Sequence, residues 1–152
     1  MTNNSEDIEF RRLALEHAWH WFELHANQRL LLFRFYLVMV GISFAGYVGS
    51  VKETIFFGEM AFPILGIAIS YLFNALDKRT SQLIKIAETC LAPQQEFIAT
   101  KFGDDNFKLV EKAETKPPGV LSYRRVFSAI QIITYLIFVS AFLYSLSSFL
   151  FS

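Results

Sequence analysis

The chain has 152 residues, 53% of them hydrophobic and 17 of them Phe, with 14 Lys and Arg against 14 Asp and Glu. That length suits one core rather than two, and a charged fraction of 18% is low for a soluble domain. The zero net charge gives no global pull toward nucleic acid or an acidic partner. The single Cys90 excludes an internal disulfide and a thiolate metal cluster.

The opening MTNNSEDIEF is acidic and polar, without the basic start and apolar core of a secretory leader. The N-terminus is therefore expected in the cytosol. Asn3, Asn4 and Ser5 offer helix N-caps, and Glu6, Asp7 and Glu9 follow in the first turn, where negative charge suits the helix dipole.

From Phe10, steps of four and three visit Ala14, His17, Trp21, Leu24, Gln28, Leu31, Phe35, Val38, Ile42, Ala45 and Gly49. This is a heptad seam that runs on into an apolar stretch. It predicts one helix over residues 5–50, on the order of 68 Å long at 1.5 Å per residue. Its first part (1–29) reads as a cytosolic stalk. Its second part holds the first membrane span, Leu30 to Val51, with Arg34 inside it.

Ser50 to Thr54 is too short for anything but a tight turn. The second span runs from Ile55 to Leu76, with Glu59 near its start and Pro63 in its first turns, where proline is tolerated. Residues 30–76 are thus a transmembrane hairpin. The pattern Ile69, Phe73, Leu76, Thr80, Leu83, Ala87, Cys90 continues past that span. It predicts a second helix that leaves the bilayer and stops near Pro93, because the residue before proline resists helix. Counting outward from Lys52 places Trp21 near Ile84, Arg29 near Asp77 as a charge pair at the inner membrane boundary, and Arg34 near Tyr71 and Asn74.

Residues 77–125 form the cytosolic helical segment. A short helix opening at Pro93, a turn at Gly103 to Asn106, a helical start after Phe107, a break at Pro117-Pro118 and a Ser122 cap are expected within it. Val126 to Phe151 carries no charge and is the third span, within residues 126–152; a bilayer core needs roughly 20 apolar residues in helix. The fold class is an all-α membrane protein with three transmembrane helices, the first two long and extending into a cytosolic helical bundle. Basic residues cluster before span one and between spans two and three, so the N-terminus is expected in the cytoplasm of a bacterial cell, at the inner membrane, with the C-terminus outside. Tyr36, Tyr47, Phe56, Tyr71 and Tyr123 fit an interfacial aromatic belt.

The histidines do not make a metal motif. Three residues after Glu16 stands Trp19, and three after Glu23 stands Ala26, so the Glu-x-x-His pairs of a bundle di-metal site are missing, as is HExxH. They read as packed or solvated, with a pH-responsive stalk as the sharper alternative. Cys90 reads as a small core residue. No nucleophile elbow, phosphate loop or dinucleotide fingerprint occurs, so no catalytic residue, metal or cofactor is assigned and an enzyme is not expected.

Phe10, His17, Trp21, Phe22, Leu24 and Gln28 are the candidate gate and oligomer seam, with Phe10, Trp21 and Phe22 as aromatic plugs. Gly66, Ser70 and Asn74 recur every four residues in span two; Ser128, Gln131 and Tyr135 share a face of span three; Ala45 and Gly49 are a small pair in span one. Such faces read first as helix–helix packing, since small and hydroxyl residues let membrane helices approach; the sharper alternative is that one of them lines a pore in an oligomer. Arg34, Ser70, Asn74 and Gln131 are the candidate pore-lining residues. Arg29, Lys116, Arg124 and Arg125 are candidates for an anionic ligand or lipid headgroup.

At HAWHWFELHANQRLLLFRFYLV and YLFNALDKRTSQLIKIAE the chain resembles small bacterial multi-span membrane effectors. It is similar in arrangement to SLATT-type anti-phage effectors and to the membrane subunit of the Hailong defence system. The resemblance implies a homo-oligomeric channel whose opening depolarises or permeabilises an infected cell; the expected partners are membrane lipid and further copies of the chain, with a tetramer favoured. It implies gating through the cytosolic helices by a nucleotide or oligonucleotide signal made by a partner enzyme. No separate sensor domain is recognisable, which leaves sensing to the stalk and to residues 77–125. The alternative is a structural membrane anchor that scaffolds a soluble partner.

Overall fold

The computed structural model describes residues 4–115 and 123–151. Helix α1 spans Asn4–Lys52, α2 Phe56–Phe102, α3 Leu109–Glu114 and α4 Tyr123–Phe151, with a 3-10 turn at Asp105–Phe107. Helices α1, α2 and α4 are each long and apolar enough to cross a membrane. The expected N-caps at Asn3, Asn4 and Ser5, the break at Pro117-Pro118 and the Ser122 cap lie outside the described residues or side chains. Helix is unbroken through 27–30 in α1 and through 77–80 in α2. The chain divides into two compact units, Met1–Arg29 with Arg79–Val120, and Leu30–Lys78 with Leu121–Ser152.

The Leu30–Lys78 and Leu121–Ser152 unit holds the apolar parts of all three long helices. The turn between α1 and α2 is as tight as its length requires. Ile55 N–H donates to the Ser50 carbonyl at 2.9 Å and Glu53 N–H to that of Gly49 at 3.1 Å. Thr54 is left-handed, at φ 53°, an uncommon conformation for a β-branched residue.

Small residues bring these helices together. A methyl group on Gly46 would enter the Phe62 ring, and one on Gly66 the Phe138 ring. Ser43 and Ser50 are buried beside Gly46 and return their hydroxyls to the helix backbone, at Met39 and Gly46. The close-packing face of α1 is therefore Ser43–Gly46–Ser50. The expected Ala45 and Gly49 pair is exposed, with open space around Gly49.

Aromatic rings fill the rest of this core. Phe33 stacks on Phe127 at 3.9 Å between centroids, and Tyr36 on Phe73 at 4.4 Å. Tyr36 is 2% exposed, and its hydroxyl lies 3.3 Å from Ser70 Oγ. It is a core residue and not part of an interfacial belt: the phenol finds its polar partner inside the unit.

The Met1–Arg29 and Arg79–Val120 unit pairs the start of α1 with the end of α2. Ala18 and His25 are buried on α1; Ala87, Leu91, Gln95 and Ala99 form a buried stripe at steps of four on α2. That stripe passes straight through Pro93, so the expected helix end there is wrong: α2 continues to Phe102. Proline removes one backbone donor and costs about 3 kcal/mol in a helix interior. Burial of Leu91, Gln95 and Ala99 on one line offsets that.

Helix α2 ends on Gly103, at φ 65°, with Asp104 N–H donating to the Ala99 carbonyl at 3.1 Å. This is a Schellman closure and realises the expected turn. Helix α3 is tied back to α2 by Val110 N–H donating to Gln95 Oε1 at 2.9 Å and by a Lys85–Glu114 ion pair.

Candidate functional site

Within the membrane-length unit, α2 presents Ser70, Asn74 and Lys78 at successive steps of four, and α4 presents Ser128, Gln131 and Tyr135. These line one groove of about 500 Å³. Residues four apart share a helix face, so each triad is a polar stripe on an otherwise apolar rod, and the two stripes meet. Ser70 is buried, donates to the Gly66 carbonyl at 2.8 Å and faces the Tyr36 hydroxyl. Gln131 is 8% exposed, yet its Nε2 has no hydrogen-bond partner among the described residues. A buried polar group left unpaired costs about 1–3 kcal/mol.

Among the described residues that line it, the groove holds hydroxyls, amides and one ammonium, and no carboxylate. It offers dipoles that can replace part of a hydration shell and no pair suited to acid–base catalysis. Three of the four expected pore-lining residues, Ser70, Asn74 and Gln131, come together here. Arg34 does not line it; it is exposed on α1. Lys78 and the Tyr36 hydroxyl behind Ser70 were missed. Lys78 extends the Gly66–Ser70–Asn74 period by one step, a signal hidden by reading the lysine as juxtamembrane charge.

On the other unit, the candidate seam residues Phe10, His17, Leu24 and Gln28 are exposed on α1, and Phe10 is 72% so. Phe22 is half-buried and stacks with Trp19 at 5.7 Å. The buried positions on this part of α1 are one position over, at Ala18 and His25, while His17 and Trp21 line a cleft with Ile86, Ala87 and Cys90 of α2. Trp21 straddles both: its indole donates to the Leu83 carbonyl at 3.3 Å, next to the expected Ile84, and its ring meets His25 edge-on at 4.7 Å. His25 Nδ1 lies 2.9 Å from Gln28 Oε1, and its Nε2 is buried without a partner. Cys90 is exposed beside Ala14, His17 and Trp21 in a cleft and is not the core residue expected, because Leu91, its neighbour, takes the buried line.

Asp77 is nearly buried near the end of the α2 part of the membrane-length unit, and Arg29 closes the α1 part of the other. Arg124 and Arg125 are exposed at the start of α4, and Lys116 lies outside the described residues, so no single unit holds the expected anion-binding set. Among the described residues there is no cluster of three or more His, Cys, Asp or Glu able to hold a metal ion.

The chain is 34% identical to CD-NTase-associated protein 19 of Escherichia coli over 108 residues, which cover 68% of this chain and 67% of that protein. It belongs to the CD-NTase-associated protein 19 family. No family model matches it, and no solved structure does. That relative is named for its association with a CD-NTase. In this member, the groove between α2 and α4 is lined by hydroxyls, amides and an ammonium on two apolar helices.

Proposed function

We propose that the protein is a homo-oligomeric membrane pore effector of bacterial anti-phage defence, closed at rest and opened through its non-membrane helical unit by a nucleotide signal. The observation that carries this reading is the unpartnered Gln131 amide in a polar groove on helices otherwise made for lipid. Buried polar residues in a membrane are costly and mark pathways. In an assembly, copies of this groove line the axis, and water or a permeating ion completes the hydrogen bond that one chain leaves open.

The family name supplies the second support, a nucleotidyltransferase as the source of the signal. The exposed apolar residues on one face of the stalk, Phe10, Leu13 and Leu24, supply the third: they form a coiled-coil seam between copies, a tetramer being favoured. The Lys and Arg residues before α1's apolar part and between the apolar parts of α2 and α4, against the single Lys52 in the turn, orient the chain with its N-terminus in the cytoplasm and its C-terminus outside the inner membrane.

The test is ion flux from dye-loaded liposomes holding purified full-length protein, with and without the product mixture of a partner nucleotidyltransferase. Triggered release is expected, together with depolarisation of expressing cells. Membranes that stay tight under every trigger would leave the anchor role as the better account.

A further inference from the structure

At the far end of the non-membrane unit, the first turns of α1 face the last turns of α2 across a cavity of about 480 Å³. Its size lies within the roughly 300–1,000 Å³ of small-molecule sites. Its lining brings three cations together, Arg11, Arg12 and Lys101, against one carboxylate, Asp7. Asp7 is engaged, at 3.3 Å from Arg11 Nε, and Arg12 is steadied from outside the lining by Glu9 at 2.6 Å. Lys101 is exposed and has no ion-pair partner among the described residues.

The cavity is aromatic as well as basic. The Arg11 guanidinium lies 4.2 Å over the Phe97 ring, and Phe102 is 72% exposed at the rim. Gln94 also lines it, and its Oε1 is buried with no hydrogen-bond partner among the described residues. Amide side chains read base edges, arginine and lysine hold phosphates, and exposed rings and guanidinium planes stack bases. A purely phosphate-binding site would need neither the rings nor the amide.

The geometry points to a nucleotide site here: Arg12 and Lys101 on phosphate, Phe102 and the Arg11–Phe97 pair against the base, and Gln94 on the base edge. This rests on the proposed function for its ligand class and locates where the signal is read. A ligand bridging α1 and α2 here favours one arrangement of the two helices, and a ligand shifts a conformational equilibrium only through such a difference in affinity.

The test uses the full chain in detergent and a fixed set of probes: ATP, linear pApA, cyclic di-AMP and inorganic pyrophosphate. A nucleotidyltransferase consumes the first class and makes the next two. At least one nucleotide is expected to bind in calorimetry at concentrations up to 1 mM. Lys101→Glu should weaken it ten-fold or more while the unliganded melting temperature stays put. Phe102→Ala should weaken the nucleotide and leave pyrophosphate unchanged. Three results overturn the site: no binding by any probe, wild-type binding by Lys101→Glu, or loss in Arg124→Glu/Arg125→Glu in place of Lys101→Glu. Equal weakening of nucleotide and pyrophosphate by Phe102→Ala contradicts base stacking. Flux separates the two levels: binding without release keeps the site and sinks the pore, and release unaffected by Lys101→Glu keeps the pore and sinks the site.

Discussion

Gly66 lies against the face of the Phe138 ring, so close that a single added methyl would overlap it. Phe138 is 1% exposed, and this contact docks α4 on α2 one turn from Ser70, the start of the polar groove. Gly66→Ala should cost about 1–3 kcal/mol, the usual range for overpacking a tight site, read as a lower melting temperature in detergent. Gly49→Ala has open space around it and should be neutral or slightly stabilising, since alanine gains up to about 1 kcal/mol over glycine in a helix. Equal effects at both positions would contradict this packing.

The turn between α1 and α2 holds Thr54 left-handed, where an L-residue with a Cβ carries roughly 1–2 kcal/mol of strain. Thr54→Gly should raise the melting temperature of the full chain, and Thr54→Val should not. Destabilisation by the glycine would mean that the Thr54 hydroxyl, 2.7 Å from the Glu53 carbonyl, matters more than the backbone angle.

Trp21 joins α1 to α2 through its indole N–H and the Leu83 carbonyl. Trp21→Phe keeps a ring and removes the donor, and should cost about 0.5–1.5 kcal/mol, the typical net worth of such a bond. Amide exchange at residues 83–88 should speed up in the variant. Unchanged exchange there would count against the bond.

The attachment of α3 should respond to pH and salt. A hydrogen bond from Lys85 lowers the carboxyl pKa of Glu114, and one from Lys108 lowers that of Asp105. Glu114, followed by Glu88, in turn raises the Lys85 pKa. The carboxylates are stabilising above their unfolded pKa of about 4, and their contribution fades as pH falls through the lower folded values. The Lys85 contribution is complete below its unfolded pKa of about 10.4 and fades as pH rises through the higher folded one. Protection of α3 amides should therefore be flat near neutrality, fall in acid and strong base, and weaken with salt, since these groups are exposed. Glu114→Gln should flatten the acid limb.

Much of this was legible in the amino-acid pattern. The three apolar runs, the tight turn after the first of them and the continuous periodicity of α1 follow from hydropathy and helix period alone. The register of the hairpin was readable to one residue, with Trp21 at Leu83 where Ile84 was expected. What failed did so for tertiary reasons. Pro93 looks like a stop until the buried line through Leu91, Gln95 and Ala99 is known. Tyr36 looks interfacial until Ser70 is seen to complete its hydroxyl.

The candidate site was legible in part. Ser70, Asn74 and Gln131 announce themselves as polar residues in apolar helices. Which α4 residues meet which α2 residues depends on Gly66 and Phe138, a pairing that no periodicity encodes. The basic and aromatic cavity of Arg11 and Lys101 joins positions 90 residues apart, and nothing local marks either of them.

The central claim is that the α2–α4 groove lines a water-filled passage when the protein opens. Cysteine accessibility in a Cys90→Ser background measures it most directly. Asn74→Cys and Gln131→Cys should react with a membrane-impermeant thiol reagent in triggered liposomes and lose flux on modification, while Ile133→Cys, on the face of α4 away from the groove and 58% exposed at the native isoleucine, should stay unmodified. Modification of Ile133→Cys with Asn74→Cys and Gln131→Cys inert would contradict the account and move the passage to another face.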